Sequence, residues 1–283
     1  MHRIIAAALA FLLWLPAAMA QELVHFPSLD GTTQLDGYLY RPAGEGRHPA
    51  VVGLHGCSGM FNRAGAIFPI FREWAAELTR QGHVVLLVDS FRPRNHGEMC
   101  SILGFDLDIY RTRPKDAYGA LWYLQAQPFV RGDRIGLVGW SQGGGVTLFS
   151  IAPKSLGRPA NLPQGDFHAA VAFYPGSCGV ERQPADWTTR IPLLVLMGAE
   201  DVWTPAAPCK TFLDGAIGRG AAVETQIYPG AYHGFDAPNQ PRLELPNYRT
   251  RAGVVPIIGT DPAARQDVLT RVPAFLARYL AGP

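Results

Sequence analysis

The chain has 283 residues, of which 48% are hydrophobic and 17% are charged, and its formal net charge is +2. This composition is typical of globular proteins, and the length allows one large domain or two small ones. The near-neutral charge and the lack of a basic run argue against nucleic-acid binding, so we expect no nucleic-acid partner.

Residues 1–20 have the pattern of a secretory signal peptide. A short basic start precedes an uncharged apolar run from Ile4 to Leu15, and Ala18-Met19-Ala20 forms a small-x-small cleavage signature. The run is too short to span a membrane comfortably, and no later segment reaches spanning length. The sequence therefore predicts a single mature domain over 21–283 that is periplasmic or secreted and free of the membrane.

The first part of the mature chain predicts an antiparallel strand pair and then a strand and a helix. The segment 22–40 alternates loosely around an Asp30-Gly31 turn signal. A short apolar run at 51–54 indicates a buried strand. Apolar residues at helical spacing follow from Phe68 to Leu78, and Gly82 is a stop signal.

The next segments predict a strand, an irregular stretch and a second helix. Residues 84–88 form a buried apolar run, whereas 92–108 are rich in Arg, Pro, Asn and Gly. Pro114 is suited to the first turn of a helix. Its predicted inward face is formed by Ala117, Leu121, Trp122 and Leu124.

A buried strand at 135–138 leads into a Gly-Ser-Gly turn and the start of a helix. Gly139-x-Ser141-x-Gly143 is the nucleophile-elbow pattern, in which a sharp turn exposes the serine at the top of a sheet. Side chains at the two glycines would clash in such a turn. Helix N-terminal N–H groups could also face an anion there. Ser141 is therefore the predicted nucleophile, and the alternative is a serine in an ordinary turn.

Three further strands and a closing helix complete the pattern. The strands are predicted at 169–174, 193–197 and 225–228, and the helix begins at Asp261-Pro262. Short apolar strands that alternate with amphipathic helices indicate an α/β fold, with a mostly parallel sheet covered on both faces. Ligands of such sheets bind beyond the carboxyl ends of the strands.

Two of these strand ends supply partners for the serine. Asp201 and His233 follow the strands at 193–197 and 225–228, and the order Ser, Asp, His is the order of the elbow motif. A serine hydroxyl needs a base within reach, and that base needs a carboxylate that fixes its tautomer. Ser141, Asp201 and His233 are the predicted catalytic residues, with Glu200 and Asp236 as alternative carboxylates.

Acyl transfer also needs donors for the developing oxyanion. The predicted donors are the backbone N–H groups of Gln142 and of Cys57, which lies in the loop at 55–59. His55 is expected to brace this loop rather than to titrate in catalysis. Aromatic residues at strand ends are candidates for substrate binding, with local packing as the alternative: Phe61, Phe91, Trp140, Trp203 and Tyr232.

The four cysteines are Cys57, Cys100, Cys178 and Cys209. In an exported chain they are candidates for disulfides, which persist in oxidising compartments. Four cysteines allow three connectivities, and their spacing alone does not choose among them. No C-x-x-C pair indicates a metal site, and no metal is expected.

These motifs together resemble the dienelactone hydrolase family, a group of α/β-hydrolases, over about residues 25–281. The matching stretches are His55-Gly56-x-x-Gly59, Val88-Asp89-Ser90-Phe91, Gly139-x-Ser141-x-Gly143-Gly144, Gly198-x-x-Asp201, Tyr232-His233-Gly234-Phe235 and the helix that begins with Asp261-Pro262. The resemblance implies a sheet of eight strands in the order 1-2-4-3-5-6-7-8, antiparallel at its start. That strand order predicts the disulfides Cys57–Cys100 and Cys178–Cys209.

The family's namesake enzymes carry cysteine at the elbow, whereas this chain carries Ser141. The difference favours an exported serine hydrolase that acts on a small-molecule ester, thioester or lactone and needs no cofactor. One alternative is a peptidase or polyester depolymerase on the same fold. Another is an exported binding protein that has lost catalysis. The long segments 92–112 and 236–258 are expected to shape the pocket.

Overall fold

The computed structural model describes residues 21–102 and 106–282, so the predicted signal peptide at 1–20 lies outside the described residues. Eight strands form the main sheet: β1 Gln21–Pro27, β2 Gln34–Tyr40, β3 His48–Leu54, β4 Val84–Asp89, β5 Val130–Trp140, β6 Ala169–Phe173, β7 Leu193–Gly198 and β8 Val223–Tyr228. A small second sheet pairs β9 Leu243–Glu244 with β10 Ile257–Ile258. The helices are α1 Pro69–Arg80, α2 Leu107–Gln125, α3 Gln142–Ile151, α4 Ala206–Gly218 and α5 Pro262–Leu280.

The order of the main sheet is β1-β2-β4-β3-β5-β6-β7-β8. β2 is antiparallel to both β1 and β4, and every other neighbouring pair is parallel. The predicted α/β fold, strand order and antiparallel start are confirmed. In the register, Leu54 lies opposite Gly139 and Trp140 lies opposite Phe173, so β3, β5 and β6 end at the same edge.

The central strands are buried on both faces and therefore read as continuous apolar runs. Successive side chains of a strand point to opposite faces, and Val51 and Val52 accordingly belong to different core clusters. Leu121 of α2 packs on one face of the sheet, and Trp74 of α1 packs on the other. The sheet is thus the middle of three layers.

Two helix predictions needed correction. Helix α2 begins at Leu107 rather than at Pro114, because the Asp106 side chain caps it by accepting the N–H of Asp108 at 2.9 Å. Trp122 is 41% exposed, whereas its neighbour Leu121 is buried. Adjacent positions on a helix lie about 100° apart, and the step from Leu121 to Trp122 turns the indole away from the sheet.

Other elements were not anticipated. Helix α4 was not predicted, and the segment 236–258 contains the strands of the small sheet rather than only irregular chain. Both predicted disulfides are present: Cys57–Cys100 with a Cα–Cα distance of 4.9 Å, and Cys178–Cys209 with 4.7 Å. Among the helices of the described ranges, none combines the length and apolarity that crossing a membrane would require.

Candidate active site

Ser141 occupies a strained turn between β5 and α3. Its φ of 56° and ψ of −117° fall in a region that non-glycine residues rarely adopt. Its N–H donates to the Phe173 carbonyl at 3.0 Å, and its own carbonyl accepts from Gly145 at 3.0 Å and from Gly176 at 2.8 Å. These backbone bonds hold the serine at the carboxyl edge of the sheet, as the elbow motif requires.

The glycines of the elbow are required by close backbone contacts. A Cβ on Gly139 would collide with the carbonyl oxygen of Gly143. A Cβ on Gly143 would collide with the carbonyl oxygens of Leu54 and His55, which end β3 and begin the next loop. The elbow and that loop therefore pack backbone to backbone.

His233 and Asp201 are brought together from the ends of β8 and β7. The His233 Nδ1 atom lies 2.7 Å from Asp201 Oδ2, and both side chains are buried. Asp201 Oδ1 accepts the N–H groups of Trp203 and Thr204 at 2.8 and 2.9 Å, and Oδ2 accepts the Thr204 hydroxyl at 2.8 Å. These bonds leave the carboxylate facing the imidazole.

Burial alone would raise the pKa of Asp201. The positive charge of a protonated His233 and the bonds from His233 and Thr204 act in the opposite direction, and the net pKa is lowered. Asp201 is therefore ionised at neutral pH. Glu200, the first alternative carboxylate, is exposed, and Asp236 is bonded to other residues.

Ser141 and His233 line the same cavity, whose volume is about 170 Å³. In the part of the chain that the structure describes, no hydrogen bond joins the Ser141 hydroxyl to the imidazole. Such bonds are often long before a substrate binds and tighten in the reacting complex. The His233 ring packs against Tyr174 and Trp203, with centroid distances of 4.4 and 4.9 Å.

The loop after β3 lies beside Ser141. A Cβ on Gly56 would stand 3.3 Å from the Ser141 Cβ, and Cys57 lines the same cavity. Among the described residues, no acceptor is bonded to the N–H of Cys57 or to that of Gln142. Free N–H groups beside a nucleophile are what an oxyanion site offers.

His55 braces this loop from inside. Its Nδ1 donates to the Gly56 carbonyl at 2.7 Å, and its Nε2 accepts the Ser90 N–H at 3.2 Å. Burial, aided by the nearby positive charge of Arg113, holds the pKa of His55 well below its usual value. The ring is therefore neutral.

Arg113, on α2, was not identified from the sequence. Its buried guanidinium donates to the Gln142 side-chain oxygen at 2.8 Å and to the His55 carbonyl at 2.7 Å. Burial lowers its pKa to about 10, so it remains cationic at neutral pH. It joins the two segments that carry the candidate donors. Its sequence neighbours Arg111, Thr112 and Lys115 are polar or charged, so the sequence carried no signal that this arginine is buried.

Two of the five aromatic candidates, Trp140 and Trp203, line the cavity. The other three are not among the described residues that line it. Phe91 packs against His55, Phe61 against Tyr38, and Tyr232 lies beneath the Arg242 guanidinium. The apolar walls that sequence reasoning missed are Phe68, Ile70, Phe71, Tyr174, Leu245 and Ile258.

Across residues 21–102 and 106–282, no group of three or more His, Cys, Asp or Glu side chains is arranged to hold a metal ion. The cavity instead brings together a serine hydroxyl, an imidazole bonded to a carboxylate, and unbonded backbone N–H groups. These groups suit acyl transfer.

A family model described as "Dienelactone hydrolase family" matches residues 35–280. One curated relative, from Bradyrhizobium sp, is named "Probable 2-oxo-3-(5-oxofuran-2-ylidene)propanoate lactonase". It is 26% identical over 227 residues, which cover 77% of this chain and 86% of the relative.

Solved structures with the same fold include a protein from Klebsiella pneumoniae assigned as a dienelactone hydrolase. Its structure matches this chain with a TM-score of 0.67 and 20% sequence identity. The match covers 93% of this chain and 100% of the Klebsiella chain. Thermogutta terrifontis esterase 2, phosphoramylated by tabun, has a TM-score of 0.65 at 20% identity, with coverage of 96% and 100%. At this identity the likeness concerns the fold.

Proposed function

Because the chain belongs to the dienelactone hydrolase family and is a hydrolase, we propose that it cleaves small carboxylic esters or lactones through an acyl-enzyme on Ser141. One observation carries the proposal: Ser141, at a strained elbow, shares a small apolar cavity with His233, whose ring is bonded to Asp201. The Bradyrhizobium relative, named as a lactonase, supports this substrate class.

In the proposed mechanism, the Ser141 hydroxyl attacks the substrate carbonyl while His233 Nε2 takes its proton. Asp201 holds the opposite ring nitrogen and stabilises the imidazolium. The N–H groups of Gln142 and Cys57 donate to the oxyanion. The C–O bond to the leaving alcohol then breaks, and His233 protonates that oxygen. Water, deprotonated by His233, attacks the acyl-enzyme and releases the acid and the free serine.

We also propose that the protein acts outside the cytoplasm. The two disulfides support this location, because such bonds persist in oxidising compartments. The small cavity favours a compact ester or lactone over a peptide or polyester chain. The bond between His233 and Asp201, beside a cavity shared with Ser141, argues against a binding protein that has lost catalysis.

The test is covalent labelling. A fluorophosphonate probe forms a stable adduct only with an activated serine, and mass spectrometry of the digested protein identifies the site. We expect the adduct on the peptide that contains Ser141, together with sustained hydrolysis of p-nitrophenyl acetate. Absence of labelling in folded protein would contradict the proposed acyl-enzyme.

Trp203 is expected to limit the length of the substrate. It stacks on Tyr248 with a centroid distance of 5.8 Å and lines both the catalytic cavity and a neighbouring groove of about 750 Å³. Trp203→Ala should join the two spaces. The ratio of kcat/KM for octanoate over acetate p-nitrophenyl esters should then rise about tenfold, because each buried methylene contributes to transition-state binding.

The matched control for this change is Trp122→Ala. It removes a tryptophan that is 41% exposed on α2 and does not line the cavity. Its chain-length profile should equal that of the wild type. A profile that also stays unchanged in Trp203→Ala would mean that the ring does not divide the two spaces.

Removal of either disulfide should lower stability by a similar amount, but only one bond should matter for catalysis. The closed segments span 43 and 31 residues, for which chain entropy predicts about 4 kcal/mol each. Urea denaturation of the two double alanine variants, at Cys57/Cys100 and at Cys178/Cys209, measures this loss.

The first variant should also lose ester turnover, because that bond anchors the loop carrying the Cys57 N–H. The second variant should keep its turnover while folded. Equal turnover in the two folded variants would show that the Cys57–Cys100 bond does not anchor this loop for catalysis.

A further inference from the structure

Asp236 is a completely buried carboxylate. Its Oδ2 accepts the indole N–H groups of Trp74 and Trp140 at 2.8 and 3.0 Å, and its Oδ1 accepts the Tyr174 hydroxyl at 2.8 Å. All three donors are neutral. Within the described residues, no cationic side chain donates to this carboxylate.

A buried charge without a cationic partner is unfavourable unless hydrogen bonds satisfy it. Removing a water-exposed carboxylate from solvent costs several kcal/mol, and the bonds formed in the interior mainly offset that cost. Burial raises the pKa of Asp236 more than its three donors lower it. Both carboxyl oxygens nevertheless accept hydrogen bonds, and these bonds fix three side chains around one group. The group therefore contributes more to geometry than to net stability.

Two of the three donors belong to the walls of the catalytic cavity. Trp140 is the last residue of β5 and directly precedes Ser141, and Tyr174 directly follows β6. The Tyr174 ring contacts the imidazole of His233, with a centroid distance of 4.4 Å, and its backbone has a φ of 34°. Asp236 itself lies three residues beyond His233 in the chain.

One carboxylate thus connects the segment carrying the base, the strand carrying the nucleophile and the ring that supports the base. We propose that Asp236 is a positioning residue, which fixes His233 relative to Ser141 through Tyr174 and Trp140. This role rests on the proposed function. Asp236 touches neither the substrate nor the imidazole, and acts through the two aromatic side chains.

The third donor supplies a matched control. Trp74 lies on α1 and gives Asp236 a bond as short as that from Tyr174, but it does not line the cavity. Tyr174→Phe and Trp74→Phe each remove one such bond, and Tyr174→Phe keeps the ring against His233. If the role of Asp236 were only structural, Tyr174→Phe and Trp74→Phe would have equal effects on kcat and on the alignment of His233.

The experiment compares Asp236→Ala, Asp236→Asn, Tyr174→Phe and Trp74→Phe by two readouts. The first is kcat and KM for p-nitrophenyl acetate. The second is the downfield ¹H NMR signal of the His233 Nδ1 proton, which reports its alignment with Asp201 without any turnover.

For Asp236→Ala we expect a fall in kcat of about 10²-fold, with a smaller change in KM, since misplacing a reacting group by about 1 Å has that effect. Tyr174→Phe should lower kcat about tenfold, as expected for one lost hydrogen bond. Both should shift or broaden the His233 signal. Asp236→Asn, which keeps an acceptor for the indoles, should restore most of kcat.

Trp74→Phe should unfold at a lower temperature yet keep the wild-type kcat and His233 signal. Equal effects of Tyr174→Phe and Trp74→Phe on both readouts would overturn the proposal, even if Asp236→Ala does not fold. A wild type without Ser141-dependent turnover would instead contradict the proposed function. The NMR comparison would still decide whether Asp236 positions His233.

Discussion

Ser141→Ala is expected to lower kcat for p-nitrophenyl ester hydrolysis by about 10⁶-fold, the loss typical of a serine hydrolase without its nucleophile. The proposed acyl-enzyme forms on this hydroxyl, so the remaining turnover reflects only the N–H donors and substrate binding. Initial rates, normalised to folded protein by circular dichroism, measure the effect. Fluorophosphonate labelling should disappear in parallel.

Ser150→Ala is the matched control on the same helix. The Ser150 hydroxyl is buried and donates to the Val146 carbonyl at 2.8 Å within α3. Its removal perturbs the helix but not the cavity, so turnover should stay within about twofold of the wild type. Wild-type rates in Ser141→Ala would refute the assignment of the nucleophile.

Asp201→Asn is expected to lower kcat by about 10⁴-fold, because an amide can donate to His233 Nδ1 and thereby favour the wrong tautomer. The structure supports a large effect, since the carboxylate is held in place by bonds from Trp203 and Thr204. Steady-state kinetics across pH 5–9 measure the loss. Glu200, the exposed residue that precedes Asp201, offers a control, and Glu200→Gln should keep the wild-type kcat.

The same substitution has a consequence for stability that depends on pH. The folded-state pKa of Asp201 is lowered, so its ionised form contributes stability above the unfolded value, and this contribution is lost as pH falls through the folded value. The difference in unfolding free energy between wild type and Asp201→Asn should therefore be largest at neutral pH. If this difference in unfolding free energy grew as the pH fell below 4, the result would contradict the lowered pKa of Asp201.

Much of the fold was predictable because parallel strands buried on both faces leave an unambiguous pattern. The apolar runs near Val52, Val138 and Val195 are short, continuous and separated by amphipathic segments. The ends of such strands meet at one edge of the sheet. For this reason the approach of Asp201 to His233 could be predicted from residues 32 positions apart.

The walls of the cavity were less predictable, because they depend on how loops fold over that edge. Phe68 and Phe71 have the spacing of an ordinary core helix, yet they also line the cavity. Leu245 directly follows β9 and Ile258 ends β10, and the two-residue strands of this small sheet are too short to leave a periodic signal. Arg113 was missed because its partners, Gln142 and a backbone carbonyl, are distant in sequence.

The backbone contacts among Gly139, Gly143 and the end of β3 have an evolutionary consequence. A single added methyl group at either glycine would collide with backbone carbonyl groups and displace Ser141 or the start of the loop at 55–59, so we expect both positions to resist substitution. The rim at 243–258 touches these groups at Ile258, which pairs with the backbone of His233. Substitutions at Leu245, the other residue of this rim that lines the cavity, can therefore alter what enters while the groups around Ser141 stay in place.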